Sequence, residues 1–267
     1  MTHLDFDPLL VEPVEEIPLA NAPLARVVAQ VQFTPIFKIR SEDYVAPFQE
    51  LIRSEYPKAL HESHQIAQFF GADATARADI VWRFLSAKGD WQVSLAPTFV
   101  ALETRAYTSR ADFMIRLKRV VTALKSAVGS AQVTRVGVRY VDHLKSPEVE
   151  RVTEMLRPEM LGVVNTPLRP RLLHMFSEVF CDVAEGKLLA RWGLLPPNGT
   201  HDPNVIPPIP TASWFLDLDV FKQYAEPFEE LDADAIQATA VALATRVYAL
   251  FRWATTDKFL AVYGGKR

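Results

Sequence analysis

The segment WFLDLDV, Trp214 to Val220, sets Asp217 and Asp219 two residues apart. On a β-strand that spacing puts both carboxylates on one face. Two carboxylates side by side can hold a divalent cation, and with it support phosphoryl or nucleotidyl transfer. The same alternation gathers a second set of groups. Arg26, Gln30, Gln32, Arg83, Arg135, Arg139 and Arg191 fall on the strand face that carries the two aspartates. Guanidiniums on neighbouring strands clamp phosphates or carboxylates. They equally form cross-strand ion pairs, here with Glu103, Asp217 and Asp219. Residue types and spacing leave both uses open.

Other chemistries find less support. The ten glycines are scattered, the terminal GGKR lacks the spacing of a phosphate loop, and no G-x-S-x-G elbow occurs. Cys181 sits between Phe180 and Asp182 in a strand pattern and reads as a packed thiol. His61 and His64, in HESH, are three apart and point to opposite faces of a strand, unlike zinc ligands. His143 and His174 stand alone in apolar surroundings and read as structural. No cofactor is implied.

The bulk numbers set the frame. At 267 residues, with 49% apolar and 23% charged residues, the chain suits a globular protein with a sizeable core. A net charge of −3 argues against nucleic-acid binding through the overall field, although Arg116, Lys118, Arg119 and Lys125 line one helix. No apolar run reaches the roughly 20 residues of a membrane span. The acidic, proline-broken first residues do not resemble a secretory signal, and a single cysteine allows no intrachain disulfide. The expectation is a cytoplasmic protein.

The elements that would carry these groups follow from periodicity. Residues 1–22, with Pro8, Pro13 and Pro18, form an extended arm. PLARVVAQVQF alternates as a half-buried strand. A short helix with Phe48, Leu51, Ile52 and Tyr56 on one stripe follows, then strands at HQIAQFF, DIVWRFL and WQVSLA. A long helix runs from about Arg110 to Val128, with Ser109 and Asp112 as a capping pair. The order then repeats. VTRVGVRYVDHL is a strand, and SPEVERVTEML a helix capped by Ser146. RLLHMFSEVFCDV, KLLARWGLL and SWFLDLDV are strands, and a helix from about Ala233 to Ala254 closes the chain.

The expected fold is therefore α+β: two fused β-α-β-β-β-α pseudo-repeats, residues 23–130 and 131–267, joined in one compact domain. Its sheet is rich in antiparallel pairs, with helices on one face. A shift of 123 residues, from Trp91 to Trp214, also pairs Phe113, Leu117, Val120, Val121, Leu124 and Val128 with Ile236, Ala240, Leu243, Ala244, Val247 and Phe251. The halves differ in one loop: SAKGD in the first becomes the proline-rich 196–213 in the second, a lid or binding loop by its length. The last helix is apolar around most of its girth. The arm, the other half or a second copy of the chain must cover it, so a homodimer through residues 233–254 is one expectation.

Three stretches, NAPLARVVAQVQF, WQVSLAPTFVALETRAY and RVGVRYVDHL, resemble a sporadically distributed bacterial protein family without an established activity. The resemblance implies a cytoplasmic bacterial protein of the accessory gene pool, where defence and toxin–antitoxin genes collect, and supplies no catalytic residues. Glu103, Thr104, Tyr107, Arg135, Arg139 and Tyr140 are the polar positions within those stretches. The acidic strand also resembles that of nucleotidyltransferases, but lacks their upstream helix with its Gly-Ser pair and a third carboxylate strand. The reading that results is a non-enzymatic module binding an anionic small molecule or protein partner through Arg26, Arg83, Arg135, Arg139, Arg191, Glu103 and Tyr107. The alternative is a metal-dependent transferase using Asp217 and Asp219.

Overall fold

Alternation makes the first strand. Leu24–Phe33 (β1) buries Val27, Ala29, Val31 and Phe33 and leaves Gln30 and Gln32 half-buried. The computed structural model describes residues 7–9, 14–66 and 77–265. After β1 come the helix Glu42–Ile52 (α1) and strands Lys58–Ile66 (β2), Arg77–Leu85 (β3), Trp91–Ala96 (β4) and Phe99–Thr104 (β5), then the helix Arg110–Val128 (α2). The chain continues through Gln132–Leu144 (β6), the short helices Val152–Met155 (α3) and Pro158–Leu161 (α4), and strands Met175–Val183 (β7), Gly186–Leu195 (β8), Ser213–Gln223 (β9) and Glu229–Glu230 (β10). Helices Ala233–Ala254 (α5) and Asp257–Val262 (α6) follow.

The class is α+β, as the patterning predicts. One sheet runs in the order β2-β3-β4-β5-β1-β6-β9-β8-β7, and β10 pairs with the start of β6. The pairs β2–β3, β3–β4, β4–β5, β7–β8 and β8–β9 are antiparallel. Each half of the chain has four strands after its first helical segment rather than three. The missed strand of the first half is β5, where Val100, Ala101 and Leu102 are all buried. A short run buried on both faces shows no period of two. In the second half the fourth strand, β10, is two residues long.

Local departures have equally plain causes. Leu51 is 55% exposed, outside the α1 stripe of Phe48 and Ile52. SPEVERVTEML breaks into a 3-10 turn, Glu148–Arg151, and α3. Ser146 bonds the Glu150 carboxylate there instead of capping backbone. Ala67–Phe70, the end of the expected HQIAQFF strand, and the His64 side chain lie outside the described residues.

By contacts the chain divides into two units: Met1–Val27, Val138–Phe221 and Ala242–Arg267 make one, and Val28–Gly137 with Lys222–Val241 the other. In the second unit, Phe48 of α1 packs edge-on to Phe84 of β3, and Trp91 of β4 meets Phe113 of α2 at 5.8 Å. These contacts place α1 and α2 against the sheet face that carries Phe84, Trp91 and Val93. Ser109 Oγ accepts the Asp112 N–H at 3.1 Å, as the capping pair predicts. The Arg116 guanidinium lies 4.4 Å from the Trp91 ring centre.

In the first unit the arm covers part of α5. Arg246 donates to the Pro8 carbonyl and forks onto Glu185, and Tyr248 Oη accepts the Ile17 N–H at 2.7 Å. The proline-rich segment 196–213 is folded down on itself and on the sheet. Thr200 Oγ1 donates to the Ile206 carbonyl, and Val205 and Ile206 form a small core with Val141, Leu195 and Phe215. Trp214 is fully buried in β9. Its replacement by alanine is expected to cost about 3–5 kcal/mol in urea unfolding.

Among the described residues no helix is long and apolar enough to cross a membrane.

Candidate functional site

The arginines and aspartates singled out in the sequence resolve into two sets, one in each unit. In the first unit, β6 presents Arg139 and β9 presents Asp217. Arg139 forks onto this aspartate, Nε to Oδ1 at 2.8 Å and Nη2 to Oδ2 at 2.7 Å. Segment 196–213 adds two residues from above: Asp202 Oδ2 accepts from Arg139 at 3.2 Å, and His201 Nε2 lies 3.1 Å from Asp217 Oδ2. The His201 ring stacks on Phe215 with centres 4.9 Å apart. Burial pulls the Asp217 carboxyl upward, but hydrogen bonds from His201 and Arg139, with the Arg139 charge, outweigh it and hold the group below the usual carboxylate value.

This cluster is an ion-pair network in which one guanidinium bridges two carboxylates, those of Asp217 and Asp202. Both Asp217 oxygens are engaged, and its counter-charge is already supplied by Arg139. Asp219 contributes charge to the same guanidinium from one step along β9. Among the described residues, no group of three or more His, Cys, Asp or Glu side chains is arranged to hold a metal ion. Arg191 stands opposite Asp217 in the β8–β9 register and bonds Glu178 of β7 at 2.6 Å. Arg26, on β1, is buried. Arg139 and Arg191 thus serve cross-strand pairing, the second of the two uses their positions allowed.

The second unit is built differently. The registers place Arg83 opposite Ser94, and Gln92 opposite Glu103. Gln92 Nε2 donates to Ser94 Oγ at 3.0 Å. All four side chains point away from α1 and α2, because their strand neighbours Phe84 and Val93 point toward them. On β1 and β6, Gln32 donates to Gln30 Oε1, which also accepts from Arg135 Nη1 at 3.3 Å. Gly137 makes room for that arginine: a Cβ at residue 137 would come within 2.7 Å of Arg135 Nη1. The guanidinium therefore lies along the strand. Gln30, Gln32, Arg83, Gln92, Glu103 and Arg135 are all half-buried.

The Tyr107 ring packs toward Phe113 of α2 at 6.1 Å. His61 is exposed beside Trp82, and Cys181 is a half-buried thiol whose pKa burial raises. His143 is buried, and burial lowers it to about 4, so it is neutral. His201 and Asp202 were not among the residues that sequence patterning selects. They lie in an irregular segment with no period, and the THDP run within an eighteen-residue loop was the sole signal.

No family model matches the chain, and no curated protein matches it.

Proposed function

We propose that the chain is a non-enzymatic binding module whose site is the polar sheet face of the second unit, and that its ligand is an acidic protein partner. The observation that carries this is the Arg135 platform. A guanidinium laid flat by Gly137 and steadied by the Gln30 amide, on a half-buried residue, is a pre-oriented fork for a carboxylate. Scale argues for a macromolecule. Arg83 on β3 and Arg135 on β6 are four strand spacings apart, about 19 Å at ~4.8 Å each, beyond the span of one small anion. The intervening amides, and the carboxylate of Glu103, suit mixed polar contacts of a protein surface better than a row of phosphates.

Two further features of the reading have their own support. The strand order, read outward from the adjacent β1 and β6, runs β5-β4-β3-β2 on one side and β9-β8-β7 on the other, descending along the chain in both, which supports two fused repeats. The single cysteine and the resemblance of the three quoted stretches support a bacterial cytoplasm, with defence or toxin–antitoxin systems as the setting.

A photo-crosslinking residue in place of Gln92 tests the site. The expected result is an adduct with an acidic protein that disappears in the Arg83→Glu, Arg135→Glu double variant. Adducts indifferent to the charge reversal would refute the proposal. So would a small-molecule mass, seen by native mass spectrometry, that Arg135→Ala alone removes. Gly137→Val, which drives Arg135 off its platform while suiting a strand, is expected to weaken partner binding about tenfold, the worth of one charge-assisted hydrogen bond. Isothermal titration with the identified partner measures it.

A further inference from the structure

Among the described residues, eleven large apolar side chains are exposed, and six of them fall between residues 163 and 180: Val163, Leu168, Leu173, Phe176, Val179 and Phe180. Three of the six sit on β7, the last strand of the sheet, whose outer edge meets no further strand among the described residues. Edges of this kind are ordinarily blunted by lysine, proline or a bulge. Here MFSEVFCDV contains neither residue, and its nine-pair register with β8 runs unbroken from Met175–Leu194 to Val183–Gly186. An unprotected edge with Phe176 at 49% and Phe180 at 57% exposure is built to be paired.

We propose that β7 pairs with β7 of a second copy of this chain, antiparallel about a two-fold axis at Val179. The strand's own charge pattern selects that occupant and register. With Val179 opposite its equivalent, Glu178 faces the partner copy's Phe180 and Asp182 faces its Phe176, so no acid meets an acid. Ser177 then faces Cys181, and Met175 faces Val183, giving the other face of the ribbon no charge at all. Shifting the axis to Glu178 would set two glutamates against each other, and shifting it to Phe180 would set Glu178 against Asp182.

The acids bring no net charge to the seam. Glu178 is held by Arg191 at 2.6 Å and Asp182 by Lys187, both from β8 of the same copy. A two-fold pairing also closes on itself, because each β7 edge is consumed by the other. Specificity thus comes from the seam's register, and affinity from the backbone ladder and the four phenylalanines it gathers.

Sedimentation equilibrium of the full chain over a wide concentration range, with three variants, tests this. The expected wild-type mass is twice 30.1 kDa at high concentration, falling toward the monomer on dilution. Val179→Lys with Phe180→Lys, both on exposed positions, should weaken association at least tenfold while leaving circular dichroism unchanged at a dilution where both proteins are monomeric. In a Cys181→Ser background, Val179→Cys should oxidise to a covalent dimer, because self-paired strand positions lie ~4.5–5.5 Å apart at Cα, within disulfide reach. Ser177→Cys in the natural background should do the same through Cys181. A wild-type chain that stays monomeric overturns the proposal. A dimer that survives the lysines, or one that neither cysteine variant traps, overturns it as well, since association would then use another surface such as α5.

Discussion

Replacing Asp142 by asparagine is expected to stabilise the protein by about 2–4 kcal/mol at pH 7 and above, and by nothing below about pH 4. Asp142 lies on β6 in the first unit and is 4% exposed. Burial alone raises its carboxyl from 3.8 to about 7. Between those two values the unfolded chain ionises the group and the folded chain does not, so stability falls steadily as pH rises. At roughly 1.4 kcal/mol per tenfold step the full loss approaches 4 kcal/mol, an upper figure since burial effects relax. Asparagine removes the ionisation and with it the slope. Urea unfolding of both proteins from pH 4 to 8 measures it. The neighbouring His143 acts with the opposite sign, because burial lowers it to about 4 and stability is lost as pH falls below 6.5. It is common to both proteins and cancels in their difference. A variant that is no more stable at pH 8 than at pH 4, relative to wild type, would show that Asp142 is ionised and paired in the folded state.

Arg139→Ala should act in the other direction, costing about 3–5 kcal/mol near neutral pH. The charge it leaves behind, Asp217, has its side chain 3% exposed and would lose a two-point bond. Asp202 would lose its ion pair too, so segment 196–213 should become more sensitive to limited proteolysis. The pH dependence provides a second signature. In the wild type the Asp217 carboxyl is held low, so its stabilisation is present above about pH 4 and vanishes as pH falls through the folded value. Without Arg139, burial dominates and the carboxyl rises. The gap between variant and wild type should then narrow between pH 7 and pH 5, the slopes from Asp142 and His143 being common to both. Replacing both residues by apolar ones, Arg139→Met with Asp217→Leu, should be far less costly than either single change, as is usual for buried ion pairs. Equal or additive losses would mean that the pair is not energetically coupled.

The two sheet faces bear on function differently for the same reason. In the first unit, a long loop brings its own core, Val205 and Ile206, together with two polar side chains, and closes the arginine face. In the second, β3 and β4 are joined by the short turn around Gly89, whose positive φ suits a tight reversal. A turn of that length brings no such core. Arg83 and Arg135, half-buried there, are the ones assigned to binding.

Much was determined by the chain's own pattern. Period-two runs such as Val27, Ala29, Val31 and Phe33 specify a strand and its buried face, because side chains alternate wherever the backbone is extended. Ser109 with Asp112, and the apolar stripe after them, specify α2 to the residue. Alternation also put Arg83, Arg135 and Arg139 on the strand face that carries Asp217. What alternation cannot express is which strands become neighbours, and what lies above them. Whether Arg139 serves a ligand or a carboxylate depended on β6 lying next to β9, a pairing between residues 78 apart. It depended further on where an irregular, proline-rich segment folds, set by burial of Ile206 rather than by any period. The bareness of β7 is likewise a property of the assembled sheet, since a strand becomes an edge only when the order of all the others is settled.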